Sequence, residues 1–249
     1  MPEIWLIATF FIIALLYSSV GFGGGSSYTA LLAWVGVDVY LVRMTSLLCN
    51  ITVVSGSTIR FWLANYVPWR KVIPLTSVSI PLAFIGGLLH VEKHVLLIVL
   101  GASLVTAGAL SVLRFKESQK PVLSKGGVRA LTLMAGAIAG FLAGLVGIGG
   151  GIFLAPILLL FKWDTPKKIA ATSSAFILVN SIAGLSGQLI QGHVLMDWAF
   201  MLPLVLAVFA GGQIGVRLTV KILNPRLVKA LVGILIIFVG VRILWTEFS

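Results

Sequence analysis

Hydrophobic residues along this chain fall into ten runs, roughly 4–20, 26–37, 42–63, 70–90 and 94–113, then 129–147, 152–161, 168–190, 197–216 and 227–245. The third, fourth and fifth of each set of five approach the roughly 20 residues that a helix needs to cross the hydrocarbon of a bilayer. The second of each set is short, and either crosses as a short helix or enters and turns back. A glycine cluster precedes each short run, Val20-Gly-Phe-Gly-Gly-Gly25 and Val146-Gly-Ile-Gly-Gly-Gly151, 126 residues apart. Other landmarks repeat in the same order. Asp38 matches Asp164 at offset 126, Thr45-Ser46 matches Thr172-Ser173 at 127, and Trp69, Pro74 and Gly86 match Trp198, Pro203 and Gly215 at 129. The chain therefore reads as one unit written twice, residues 1–114 and 129–249. Between them lies a polar, breaker-rich linker, 115–128, expected on the cytoplasmic side.

Composition removes the soluble alternatives. The chain is 59% hydrophobic and 10% charged, with a mean hydropathy of +1.11, outside the range of an ordinary soluble domain. The first run has only Glu3 before it and lacks the basic start of a secretory signal, so it reads as a retained span. The net charge of +11 sits in short connections between apolar runs, with no aromatic-interleaved surface for a nucleic acid. It is topogenic charge. Cys49 is the only cysteine, which excludes an intrachain disulfide.

That charge also arbitrates the short runs. If every run crosses and the linker is cytoplasmic, Arg60, Arg70, Lys71, Arg114, Lys116, Lys120, Lys125, Arg129, Lys162, Lys167, Lys168, Arg217, Lys221, Arg226 and Lys229 lie inside. Only Arg43, Lys93 and Arg242 lie outside, a split of 15 to 3, whereas turning the short runs back makes it 9 to 9. The positive-inside rule favours ten segments with both termini outside. Five segments per half is odd, so the second half is expected upside down relative to the first. The predicted fold is an all-α polytopic membrane protein of two inverted-topology repeats, each with one short or broken helix after its glycine motif. Localisation is the cell membrane, the inner membrane if the source is Gram-negative.

Consecutive glycines oppose helix by roughly 1 kcal/mol each relative to alanine. Irregular backbone at membrane depth survives only inside protein or against a wet cavity. The clusters at Gly23, Gly24, Gly25 and at Gly149, Gly150, Gly151 should therefore face the bundle interior. The short helices opening near Ser26 and Ile152 would aim free N–H groups and positive dipole ends at a shared place, an anion site made of backbone. Broken helices in paired positions point to a transporter's binding site. Tight packing or a hinge is the other reading of these glycines. Gly136, Gly140 and Gly144, four residues apart, read as a packing stripe instead.

The third run of each half adds Thr45, Ser46 and Asn50, and Thr172, Ser173 and Asn180, expected to turn inward as oxyanion donors or interhelical bonds. Ser55, Ser57, Ser186 and Gln188 are further polar groups near it. Arg43 stands beside the first pair where the second half has Ala170, and reads either as an oxyanion fork or as a snorkelling arginine. No run carries a charge near its centre, so a coupled proton would travel on the substrate. Asp38, Asp164 and Asp197 lie at segment ends, as helix caps do. His90 and His94 have metal-like spacing but no third ligand, His193 falls in an external loop, and no enzyme motif is found. No metal or other cofactor is expected.

The whole chain resembles the TauE/SafE family of sulfite exporter-like permeases. The resemblance rests on VGFGGG (20–25), VGIGGG (146–151), the Thr-Ser pairs, AATSSAFILVNSIAG (170–184) and the stretch from Gly192 through Trp198 to Pro203. It implies an inner-membrane transporter of sulfite or small organosulfonates. Ser26-Ser27-Tyr28-Thr29-Ala30 departs from the apolar run ending in proline that the second half keeps at Pro156, and Arg43 stands where a small residue is common. The expected function is a secondary carrier for a small anion, with a coupling proton or other ion. A passive anion channel and a non-transporting scaffold are the alternatives, and an oligomer is compatible with any of them.

Overall fold

The computed structural model describes residues 2–18, 21–112, 125–161, 163–192, 196–217 and 225–248. These form ten helices and, among the described residues, no strand. They are α1 (Ile4–Ser18), α2 (Gly25–Trp34), α3 (Val39–Leu63), α4 (Trp69–Leu88), α5 (Lys93–Val112), α6 (Lys125–Val146), α7 (Gly151–Leu160), α8 (Pro166–Gln191), α9 (Trp198–Arg217) and α10 (Pro225–Phe248). Each apolar run is a helix. Residues 113–124 of the expected linker region, and His193, lie outside the described residues.

Local chemistry sets several boundaries. The Asp38 carboxylate accepts the N–H groups of Tyr40 at 2.9 Å and Leu41 at 3.4 Å, capping α3. Asp197 accepts the Phe200 N–H at 3.0 Å before α9. Asp164 was expected to do the same, but the N-cap position of α8 falls to Thr165, which makes no side-chain capping bond. Pro166 occupies the first turn, where its fixed φ suits a helix start, and this sets the cap one residue later. The Asp164 carboxylate is taken instead by Lys71 Nζ at 2.7 Å, by Lys168 at 3.6 Å and by the Thr165 N–H at 2.8 Å.

Burial alone would raise the Asp164 carboxyl, but the Lys71 hydrogen bond, the Thr165 N–H and the charges of Lys71 and Lys168 together hold it below its ordinary value. A depressed carboxyl stabilises the fold above its unfolded-state pKa, and that contribution is lost as pH falls through the folded-state value. The Lys71 side chain is 48% exposed, so solvent screening keeps the pair below about 1 kcal/mol. Asp164→Asn should cost about 0.5 kcal/mol at pH 7. The gap to the parent should close in acid below the usual carboxylate range, as read by thermal unfolding in detergent.

The packing repeats between halves. α4 lies against α6 and α8 as α9 lies against α1 and α3; α5 pairs with α10, and α3 with α8 in the middle. Gly136 faces Leu75, Gly140 faces Ser79 and Gly144 faces Ala83, so α6 runs in the direction of α4. A side chain at Gly144 would meet the Ala83 carbonyl, and the stripe read from the sequence as a packing face is one. Likewise Gly211 faces Phe11 and Gly215 faces Leu15, so α1 runs in the direction of α9. Gly21 lies against Phe61 and Ala170, while Gly149 lies against Asn50 and Ser181, which makes α3 and α8 antiparallel.

Ten residues of helix rise only about 15 Å, half the hydrocarbon thickness, and α2 and α7 have ten each. The glycine stretches supply the rest. Gly21 sits at the Phe61 end of α3, while α2 closes with Trp34 against Phe238 and Arg242 and leads into the start of α3. The second half mirrors this: Gly147 touches Arg43, and the segment after α7 meets Lys71 through the Trp163 carbonyl at 3.0 Å. Stretch plus half-helix thus covers the length of α3 in each half.

The outer surface carries large exposed apolar side chains, among them Ile12, Ile59, Ile73, Ile80, Leu202, Leu206, Phe209 and Trp245. Among the described residues, four helices (α3, α4, α8 and α9) are long and apolar enough to cross a bilayer. A surface of this kind is stable only in lipid. The protein is a multi-pass membrane protein.

Candidate functional site

The two glycine stretches meet at the α3–α8 crossing. Gly24 and Gly150 hold φ of 86° and 74°, and Gly21 and Gly147 hold 81° and 83°. These matched left-handed positions turn the chain out of α1 and α6 and into the short helices, a conformation that costs any residue but glycine. The N–H groups of Ser27 and Tyr28 turn back to the Gly24 carbonyl, and those of Phe153 and Leu154 to that of Gly150. The first N–H groups of α2 and α7, at Gly25, Ser26, Gly151 and Ile152, have no backbone acceptor among the described residues. They carry the positive ends of the helix dipoles.

Asn50 stands between the stretches. A Cβ on Gly23 or Gly25 would collide with its carboxamide, one on Gly149 would lie 2.5 Å from its Nδ2, and one on Gly25 would lie 2.5 Å from the Ile148 carbonyl. Asn50 Nδ2 donates to that carbonyl at 3.2 Å, bonding the halves together, while Oδ1 has no partner among the described residues. Asn50, Ser46, Thr45, Ser173 and Ser181 are fully buried. The hydroxyls of these four residues also lack a partner among the described residues.

Other expected site residues fall elsewhere. Thr172 Oγ1 donates to the Lys168 carbonyl at 2.8 Å within its own helix. Asn180 Nδ2 donates to the Phe176 carbonyl at 2.8 Å, leaving its Oδ1 unpartnered. Asn180 is not the counterpart of Asn50. In the second half the side chain pressed against Gly151 is Ile177, which also reaches Gly149 beside Asn50 and Ser181; it lies 127 residues beyond Asn50, the same offset as the Thr-Ser pairs. Of the further polar groups, Ser55 and Ser186 bond carbonyls four residues back. Ser57 is buried without a partner among the described residues. Ser181 carries no repeat signal, since the matching residue of the first half is Val54; its position against Gly149 reveals it.

Arg43 is 1% exposed. Its Nη2 donates to the carbonyls of Gly86 and Gly144, both at 3.3 Å, in the last turns of α4 and α6. Gln188 Nε2 reaches the same Gly144 carbonyl at 3.2 Å. Two helix C-termini, each the negative end of a dipole, thus face this cation. Arg43 Nε and Nη1 have no partner among the described residues. His94 pairs with Glu247 at 2.6 Å, and no cluster of three metal-ligating residues occurs among the described residues.

A buried pair of interrupted helices, presenting free N–H groups and neutral donors between two similarly built halves, is the arrangement of a membrane transporter. The comparisons agree. The chain belongs to the family described as Sulfite exporter TauE/SafE, which matches residues 6–243. It is 34% identical over 245 residues to a "Probable membrane transporter protein" of Sinorhizobium fredii, covering 97% of this chain and 98% of that one. Similar proteins of the same description occur in Methanocaldococcus jannaschii (24% identical, 94% of this chain and 93% of that one) and Bacillus subtilis (27% identical, 94% and 79%). No solved structure matches the chain.

Proposed function

We propose that the protein is a secondary carrier of a small anion, sulfite or a related organosulfonate, working by alternating access between two inverted repeats. The observation that carries this reading is Asn50, wedged between the glycine stretches of both halves and bonded to the Ile148 carbonyl. Backbone N–H groups at the starts of α2 and α7 hold the anion, with Asn50, Thr45, Ser46 and Ser173 as side-chain donors. Gly25 lies against the Ile148 carbonyl in this conformation, so an anion enters only when the stretches part. Parting them is what rocking one repeat against the other does. That closure favours a carrier over a standing channel.

Inversion of the halves is supported by two crossed contacts. Gly147 meets Arg43, while Gly21 meets Ala170, and Arg43 and Ala170 hold matching places in the repeats. The Lys71–Asp164 bond and the exposed Arg60, Arg70 and Lys167 gather at the Phe61 end of α3, which is the cytoplasmic end under the positive-inside rule. A coupling proton would travel on the substrate.

Purified protein in proteoliposomes should take up sulfite against an imposed gradient, saturably, and other small oxyanions should compete. Flux that is non-saturable and follows only the electrochemical gradient would indicate a channel, and no flux of any anion would remove the reading.

A further inference from the structure

Two polar side chains, one from each half, converge on Gly149. A Cβ there would lie 2.5 Å from Asn50 Nδ2 and 3.2 Å from Ser181 Oγ, with Ile177 Cγ2 beside them at 3.1 Å. Gly149 leads through Gly150 into the first turn of α7, whose leading N–H groups have no backbone acceptor among the described residues. The mirrored place in the first half is Gly23, 126 residues earlier. Its nearest neighbours are Asn50 Oδ1 and Val54 Cγ1, and Val54 matches Ser181 at the offset of the Thr-Ser pairs. Donors thus gather on the Gly149 side, while a carbonyl oxygen and hydrocarbon stand on the Gly23 side.

The orientation of the Asn50 amide is fixed by its surroundings. The Ile148 carbonyl at 3.2 Å is an acceptor, so the NH2 end must face it and the oxygen must face Gly23. The Ser181 hydroxyl is fully buried and has no partner among the described residues. Other hydroxyls of α3 and α8, at Thr52, Ser55, Thr172 and Ser186, donate to the carbonyl four residues back. Ser181 forgoes that bond and lies against Gly149 instead. A buried polar group left open in this way marks a place for a partner from outside the chain.

We propose that the anion's seat is off-centre, at the start of α7, with Ser181 Oγ donating from the second half and Asn50 Nδ2 from the first. This rests on the anion-carrier reading and adds a side-chain donor to it. On arrival an oxyanion replaces the Ile148 carbonyl as the acceptor of Asn50 Nδ2. A charged acceptor forms the stronger bond, so the halves part around the anion without leaving that N–H bare. The Gly23 side repels an anion, because Asn50 Oδ1 offers only lone pairs.

The test is sulfite uptake into proteoliposomes, with thermal unfolding of the same proteins in detergent. Ser181→Ala should raise the half-saturating sulfite concentration by about tenfold or more, the loss of one hydrogen bond to a charged group, with the maximal rate little changed. Its unfolding temperature should stay at or slightly above the parent's, since the hydroxyl removed has no partner among the described residues. A merely structural serine would do the reverse, lowering stability and sparing half-saturation. Val54→Ser places a hydroxyl at the mirrored position and should leave the half-saturating concentration unchanged. An unchanged value in Ser181→Ala, or a lowered one in Val54→Ser, overturns the off-centre seat and leaves an anion carrier. No flux of any anion by the parent overturns both. Should Ser181→Ala fail to fold, Ser181→Cys, which keeps a side chain of similar shape with a weaker donor, decides alone: half-saturation must rise, and an unchanged value overturns the seat.

Discussion

Valine at Gly24 or Gly150 should abolish transport while leaving a folded, monodisperse protein. Both glycines hold left-handed φ, 86° and 74°, where a β-branched residue costs on the order of 1–3 kcal/mol. A Cβ at Gly24 would meet the Tyr28 hydroxyl and Ile13 Cγ2, side-chain atoms, whereas one at Gly150 would stand 2.6 Å from the Ala139 carbonyl. The chain relieves the strain by rotating out of the left-handed region. That rotation redirects the carbonyls of Gly24 and Gly150, to which the first turns of α2 and α7 are anchored. A domain stable by about 5–15 kcal/mol tolerates the strain energetically. The free N–H groups, however, turn away from where the anion must sit. Gly36 is the control, since it holds φ of 81° with nothing within 4 Å of an added Cβ. Gly36→Val should show a similar loss in thermal stability with uptake retained. Sulfite uptake and size-exclusion profiles of the three variants together separate strain from site, and wild-type uptake by Gly24→Val would refute the role given to the glycine stretch.

How much of this was legible in the chain follows from what each feature depends on. Helix positions could be read directly, because in lipid every spanning segment must satisfy its own backbone; run 70–90 is α4, Trp69–Leu88, and run 152–161 is α7, Gly151–Leu160. The glycine breaks were legible because they occur twice. Side-chain roles were less so. The amide of Asn180 suggested a match to Asn50 by residue type, yet the offset of the Thr-Ser pairs leads to Ile177, and the packing follows the offset. Thr172 and Ser173 are adjacent, but helical rotation sends the first hydroxyl to the Lys168 carbonyl and leaves the second unpartnered among the described residues. The partners of Arg43 come from α4 and α6, far away in sequence, and no local pattern announces them.

Arg43 should prove mainly a clamp, and its loss should give the largest stability change of any single substitution outside the glycine contacts. Its Nη2 holds the last turns of α4 and α6 at once, joining the first half to the second where Gly86 and Gly144 leave no room for side chains. Hydrogen bonds from a charged donor are worth about 1.5–3 kcal/mol each. The 3.3 Å lengths place these two at the weak end. Arg43→Ala should cost about 3 kcal/mol, because two carbonyls lose their cationic donor and a large buried side chain is deleted. For a chain of this size that lowers the unfolding temperature by about 10 °C. Arg43→Lys keeps the charge facing both helix ends but loses the fork, and should fall between. If Arg43 instead serves chiefly as an oxyanion fork through Nε and Nη1, the lysine variant would unfold like the parent and its half-saturating sulfite concentration would rise. The clamp predicts the reverse order of effects, stability falling first. Thermal unfolding and uptake kinetics on the same two variants decide between them, since a donor committed to two helix ends cannot be withdrawn without loosening the contact between the halves.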